Sequence, residues 1–276
     1  MRPDVYALSA PDAIARRPLL EGTPSTLLGV LALAASSAWG LCAAEVLSAP
    51  LARAIAAGAA QGALMATAVG WTIESQERAR PIWAAGAAIV ALVGAIGAAL
   101  SPLGAIAYLL APLWFWRRRA RLPALGLRSP YPARLTAIGV ALGAVLGAHL
   151  TITASLTLGY RIGWPSLLTL LPWLAYDVGA NVLAAECFFR GALFDRAQRR
   201  WSFAAAAAVT TGTCLARYLA DPLLPRTLEV AAGAAFYIGL LSVGNCWLYW
   251  RSGSVVPGLA AGVVFFIVYR LLHVVR

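Results

Sequence analysis

A glutamate and an arginine stand four residues apart in the apolar stretch A-E-C-F-F-R-G-A-L-F, residues 185–194. A positioned carboxylate such as Glu186 can act as a general base. The spacing puts Glu186 and Arg190 on one face of a helix, in the order that favours an ion pair. Charges at bilayer depth are costly and usually face a cavity or a partner. The pair therefore indicates either a reactive site or a buried clamp between helices.

Four further polar residues lie within apolar segments and are candidates for a binding site. Asp177 and Asn181 are four apart on the same predicted helix as Glu186, one to two turns earlier. We expect them to cap or bridge helices. Arg217 and His149 fall in other apolar segments. An isolated intramembrane histidine is more typical of a hydrogen-bonded core residue than of a catalyst.

The elements that must position these residues are membrane helices. Hydrophobic residues make up 61% of the 276-residue chain and charged residues only 12%, whereas a soluble domain carries roughly 25% charged residues. The composition therefore predicts an integral membrane protein. No apolar signal-peptide core precedes residue 25, so we expect the first apolar segment to be an uncleaved anchor. The four cysteines lie in apolar segments without C-x-x-C spacing, so neither a metal site, a disulfide nor a cofactor is expected.

Helix length sets the number of predicted spans, since about 20 apolar residues cross the hydrocarbon. We predict an all-α, polytopic transmembrane helix bundle with nine candidate spans. The fourth is short enough to be re-entrant, which leaves eight open. Abundant alanine and glycine favour close helix packing. The candidates are approximately 25–48, 54–73, 82–100, 103–116, 135–158, 166–195, 203–220, 228–250 and 253–272.

Arginine placement predicts the orientation. The net charge of +11 comes from arginine alone, because the chain has no lysine. Basic residues collect on the cytoplasmic side of membrane proteins, and the segments assigned to that side hold most of the arginines. The prediction is N-in and C-out. Membrane-surface charge explains the basic character better than nucleic-acid binding does. The outer segments hold Arg53, Arg161, Arg226 and the tail arginines.

The same count divides the chain into four parts. Residues 1–24 form a polar cytoplasmic tail, and 25–116 form the N-terminal transmembrane helices. Residues 117–134, R-R-R-A-R-L-P-A-L-G-L-R-S-P-Y-P-A-R, form a basic cytoplasmic loop whose prolines argue against a helix. Residues 135–276 form the second transmembrane domain.

The stretch 185–194 resembles the E-E-x-x-x-R motif of the CPBP family of intramembrane glutamic proteases. These are the CAAX prenyl endopeptidases and the bacteriocin-processing or Abi-type proteins. The stretch G-N-C-W-L-Y-W-R-S-G-S-V-V-P-G-L-A-A-G-V, residues 244–263, is similar to the family's last segment, in which a Gly-Ser turn and a proline precede a helix with H-x-x-x-N. The stretch A-A-A-A-V-T-T-G-T-C-L-A-R-Y-L takes the place of the helix with F-x-x-x-H. The resemblance covers about residues 165–270. It implies an integral protein of a prokaryotic cytoplasmic membrane.

The resemblance also implies which catalytic residues are replaced. In the family a motif glutamate and a histidine activate water, and histidine and asparagine stabilise the oxyanion, as general-base catalysis requires. Here the first glutamate is replaced by Ala185, the second-motif histidine by Arg217, and the final histidine and asparagine by Gly262 and Phe266. At a rise of 1.5 Å per residue, these positions lie about 13–20 Å above the inner ends of their helices. We therefore expect them to share one layer of the bundle.

Three functions remain open from the sequence. The first is a CPBP-family homologue that has lost catalysis and serves as a membrane partner or peptide-binding subunit, for example beside an active paralogue. In it Glu186 could face both Arg190 and Arg217 and favour an anionic ligand. The second is an active CAAX-like protease, or one that processes C-terminal sorting signals of peptides or lipoproteins, using Glu186 with His149 or a partner's histidine. The third is a small transporter, suggested only by intramembrane charges.

Overall fold

The computed structural model describes residues 20–72, 80–122, 125–127, 132–219 and 228–273. Most of the predicted tail, parts of the basic loop and residues 220–227 lie outside the described residues. Within them the chain is almost entirely helical, so the all-α prediction is confirmed. We number the helices α1 Ser25–Ala43, α2 Ala49–Thr72, α3 Arg80–Leu100, α4 Leu110–Arg118, α5 Ala133–Leu158, α6 Leu167–Gln198, α7 Phe203–Leu219, α8 Leu228–Ser252 and α9 Val256–Tyr269.

Each of the nine predicted apolar segments overlaps one of these helices, with ends that differ by several residues in places. Among the described residues, five helices are long and apolar enough to cross a membrane, namely α1, α2, α3, α5 and α6. The shorter α9 is an apolar helix of 14 residues. The integral membrane assignment therefore stands, while the count of nine spans and their orientation remain predictions.

The fourth segment is built differently from the others. A 3₁₀ helix, Leu103–Leu109, leads into the short α4, and a second 3₁₀ turn, Arg119–Arg121, follows it. Helix therefore extends into the first residues of the predicted basic loop. Cation–π stacking accompanies this extension, since the Arg118 guanidinium lies 4.4 Å from the Trp83 ring centre.

Small residues bring the helices together in both halves of the chain. A Cβ added to Gly62 of α2 would lie 3.2 Å from the Ala88 backbone of α3. A Cβ on Gly143 of α5 would collide with the carbonyl of Ala261 in α9. One buried cluster joins α2, α3 and α4 to α6 and α8. The N-terminal helices therefore share a core with the segment that carries the motif.

The long helix α6 departs from α-helical geometry where its polar residues lie. It contains Pro172, and it is π-helical over Asp177–Val182 and again over Glu186–Phe194. Such wide turns are rare and occur frequently at functional sites. A two-residue antiparallel ladder, β1 Arg161–Ile162 with β2 Leu272–His273, joins the chain after α9 to the connection before α6.

Candidate functional site

The motif residues of α6 form a buried ion pair. Glu186 Oε1 and Arg190 Nη1 are 3.2 Å apart, and both residues are more than 95% buried. Arg190 Nη1 also lies 3.8 Å from Cys214 Sγ of α7. The pair therefore neutralises two charges that would each be costly alone in a low-dielectric environment.

Asn245 binds the ion pair as a third residue, and we call Glu186, Arg190 and Asn245 together the clamp. Asn245 of α8 donates from Nδ2 to Glu186 Oε1 over 2.8 Å, and the same nitrogen is 3.4 Å from the Gly258 carbonyl of α9. A Cβ on Gly258 would collide with Glu186 Oε2. Glu186 thus connects α6 to α8 by a hydrogen bond and packs against the backbone of α9.

Several polar atoms of this group have no hydrogen-bond partner among the described residues. They are Glu186 Oε2, Arg190 Nε and Asn245 Oδ1. Leaving such atoms unpaired in a buried site costs about 1–3 kcal/mol each. Glu186 and Arg190 border a cavity of only about 20 Å³, which is room for about one water molecule.

Three of the four replaced catalytic positions line this same cavity. They are Ala185 of α6 and Gly262 and Phe266 of α9. A Cβ added to Gly262 would lie 2.9 Å from Val182 Cγ1, so a larger side chain there requires Val182 to move. The space that a histidine would occupy at position 262 is already partly filled.

The fourth replaced position belongs to a second polar network. Arg217 Nη1 donates to Asn181 Oδ1 over 3.2 Å, and Asn181 Nδ2 donates to Asp177 Oδ1 over 3.0 Å. Asp177 in turn accepts two hydrogen bonds from Arg270, at 2.7 and 2.9 Å. Asn181 also lines the small cavity. The described hydrogen bond of Arg217 therefore leads to Asn181 and not to Glu186.

His149 lies apart from both groups. Its Nδ1 is 2.8 Å from the Tyr237 hydroxyl of α8 and 3.5 Å from Thr153 Oγ1. His149 is exposed on α5 and is not among the described residues that line the small cavity. The structure thus brings Glu186 and Arg190 together with Ala185, and it leaves His149 elsewhere.

Sequence reasoning missed two residues of the site. The sequence predicts no separate role for Asn245, which lies in the G-N-C-W stretch, and it places Arg270 among the tail arginines. Asn245 is the one amide of α8, and an intramembrane amide is a signal of a hydrogen-bonded contact. Arg270 lies 93 residues from its partner Asp177, so no local sequence pattern indicates their contact.

The chemistry available to the site is limited. Arginine does not deprotonate at working pH, and alanine, glycine and phenylalanine neither take a proton nor stabilise an oxyanion. No histidine is among the described residues that line the cavity. No group of three or more histidine, cysteine, aspartate or glutamate side chains in the described part of the chain could hold a metal ion.

Comparison with known proteins identifies one segment. Residues 167–268, which run from the start of α6 almost to the end of α9, match the family model described as Type II CAAX prenyl endopeptidase Rce1-like. The match spans 102 of the 276 residues. No curated protein and no solved structure gives a significant match to the chain.

Proposed function

We propose that this chain is a non-catalytic homologue of a CAAX prenyl endopeptidase, because residues 167–268 match the family model of those membrane proteases. In this proposal it serves as a partner subunit of another membrane protein. The observation that best supports this proposal is the small cavity of about 20 Å³ that Ala185, Gly262 and Phe266 line beside Glu186.

The size of the cavity argues against a bound substrate peptide. Ligand pockets usually measure about 300–1,000 Å³, more than ten times the volume beside Glu186. A peptide-binding role in this cavity would need the helices that line it to separate, although Gly262 of α9 packs closely against Val182 of α6. We therefore favour a partner subunit over a peptide-binding subunit.

The charges of the motif have a structural role in this account. Glu186 accepts from Arg190 and Asn245 and so ties α6 to α8. Breaking a buried pair is strongly destabilising, because the remaining charge stays buried. A chain that no longer cleaves substrate would keep Glu186 and Arg190 for that reason.

A face of α7 supports the partner role. Ala208, Gly212 and Ala216 follow one another at intervals of four, and all three are exposed. A Cβ added to Gly212 would meet nothing within 4 Å. Small residues at this spacing let a second membrane helix approach closely. The partner in this proposal is a transmembrane helix, such as one of an active paralogue.

The proposal also includes location and orientation. The protein would lie in a prokaryotic cytoplasmic membrane with nine spans, the N-terminus inside and the C-terminus outside. The skew of arginines toward the predicted inner segments supports the orientation.

Site-specific photo-crosslinking tests the partner role. A photoreactive amino acid at Gly212 should give an adduct with a second membrane protein, whereas the same group at Leu156, an 81% exposed position on α5, should not. Ala216→Leu should abolish the Gly212 adduct. Equal adducts at positions 212 and 156 would show that α7 has no special partner face.

Thiol labelling tests the closed cavity. The comparison uses a Cys42→Ser parent, whose remaining cysteines are buried. When Ala185→Cys is added to this parent, a membrane-impermeant maleimide should label the new chain no faster than it labels the parent. A protease that admits water and substrate to this layer would label rapidly at position 185, and that result would overturn the proposal.

One observation favours the active-protease alternative. Glu186 Oε2 has no partner among the described residues and borders a space large enough for one water. A water held there by a carboxylate is the starting arrangement of general-base hydrolysis. This alternative still lacks a histidine among the described residues that line the cavity, and the two donors nearest Glu186, Arg190 and Asn245, are bound to Glu186 itself.

A further inference from the structure

A second and much larger cavity lies at another place in the bundle. Its volume is about 530 Å³, and α2, α3, α6 and the 3₁₀ helix Leu103–Leu109 enclose it. It shares no lining residue with the cavity beside Glu186. Its volume falls within the usual range for small-molecule and lipid-like ligands.

The lining of this large cavity is apolar with an aromatic floor. Alanines of α2 and α3 form much of the wall, and Tyr108 packs edge-on against Tyr176 at 5.1 Å between ring centres. At the mouth, Leu168 is 73% exposed and Trp173 is 38% exposed. Such a surface suits a hydrocarbon chain.

A charged residue lies at the rim of this large cavity. Arg53 is the only charged residue among the described residues that line it. Its Nε donates to the Ala49 carbonyl over 3.3 Å, and its terminal nitrogens have no partner within the described part of the chain. Arg53 is exposed, so the guanidinium can receive an anion at the rim of an apolar cavity.

The lipid around these helices indicates which kind of molecule could occupy the large cavity. The helices α2, α3 and α6 are long and apolar enough to span a membrane, so a cavity that opens between them meets lipid. A phospholipid combines an acyl chain with an anionic phosphate, and arginine binds phosphate oxygens in a bidentate manner. We propose that the cavity holds one acyl chain of an anionic bilayer phospholipid, with its headgroup phosphate on Arg53.

Native mass spectrometry of the purified full chain, titrated with phosphatidylglycerol or phosphatidylcholine of the same acyl chains, tests this proposal. The first phosphatidylglycerol should bind more tightly than the first phosphatidylcholine. Arg53→Gln should weaken the phosphatidylglycerol step by about fivefold and the phosphatidylcholine step by less, because the choline cation offsets the charge of the phosphate. Arg161→Gln, which removes an exposed arginine that does not line the cavity, is the matched control and should change neither.

A filling variant tests the acyl-chain part separately. Ala99→Trp places an indole in the cavity and should remove the first, tightest step for both lipids, whereas Ala60→Trp, on the exposed surface of α2 and outside the cavity lining, should not. Equal affinity of the wild-type chain for the two lipids would overturn the proposal. So would equal losses in the Arg53 and Arg161 variants, or unchanged binding in Ala99→Trp. None of these outcomes depends on whether the Glu186 site is catalytic.

Discussion

The buried pair on α6 makes a stability prediction that a double-mutant cycle can measure. Arg190→Met removes the charge from a residue that is 2% exposed and leaves Glu186 with Asn245 as its described donor. Breaking a buried pair in this way costs about 3–5 kcal/mol. Glu186→Gln should cost a similar amount, because it leaves the Arg190 guanidinium buried beside Cys214.

The double variant shows whether Glu186 and Arg190 act as a coupled pair or stabilise the fold independently. In Glu186→Gln, Arg190→Met both charges are gone, while the glutamine oxygen can still accept from Asn245. Replacing a buried pair by neutral groups is often close to neutral in free energy. The double variant should therefore be more stable than either single variant, with a coupling of at least about 2 kcal/mol, near the upper end of measured couplings.

Buried thiols supply the assay. Cys187, Cys214 and Cys246 are buried, so a thiol-reactive dye reports unfolding in detergent or nanodiscs once Cys42 is replaced by serine. At about 2–4 °C per kcal/mol, Arg190→Met should lower the midpoint by about 10 °C, and the double variant should recover most of this loss. Additive effects of the two substitutions would refute the clamp.

Substitutions at three further positions, Gly258, Asn245 and Asp177, test the surroundings of the clamp by the same assay. Gly258→Ala should destabilise by about 1–3 kcal/mol, because the new methyl displaces the Glu186 carboxylate, whereas the control Gly212→Ala, with open space around it, should be neutral or slightly stabilising. Asn245→Asp should cost more than Asn245→Ala, because it places a second carboxylate 2.8 Å from the first; the opposite order would contradict the described hydrogen bond. Asp177→Asn should cost about 1–3 kcal/mol by breaking its two-point contact with arginine, and an unchanged midpoint would mean that this contact adds nothing.

Local patterns were sufficient to predict the helices and the ion pair. Apolar runs separated by arginine-rich or proline-rich segments indicated where the described helices lie, whereas only five of these helices are long and apolar enough to cross a membrane. The spacing of Glu186 and Arg190 predicted their contact because residues four apart on a helix are neighbours. The family resemblance is confirmed over residues 167–268.

Contacts between helices could not be read in the same way. An apolar helix that is hydrophobic on every side gives no sequence signal for its rotation about its axis. The contacts of Asn245 with Glu186 and of Arg270 with Asp177 therefore appeared only in the structure. The π-helical turns of α6 were equally invisible, because no residue type specifies them. The cavity volumes depend on these rotations and could not be predicted either.

Loss of catalysis is the central claim, and substrate processing tests it most directly. Membranes containing the wild-type chain, Glu186→Ala or His149→Ala are incubated with a prenylated CAAX peptide and with a membrane-anchored sorting-signal peptide, and products are identified by mass spectrometry. The account predicts no product above that of membranes without the chain, and no difference among the three proteins. A product that the wild-type chain forms and that Glu186→Ala abolishes would contradict it.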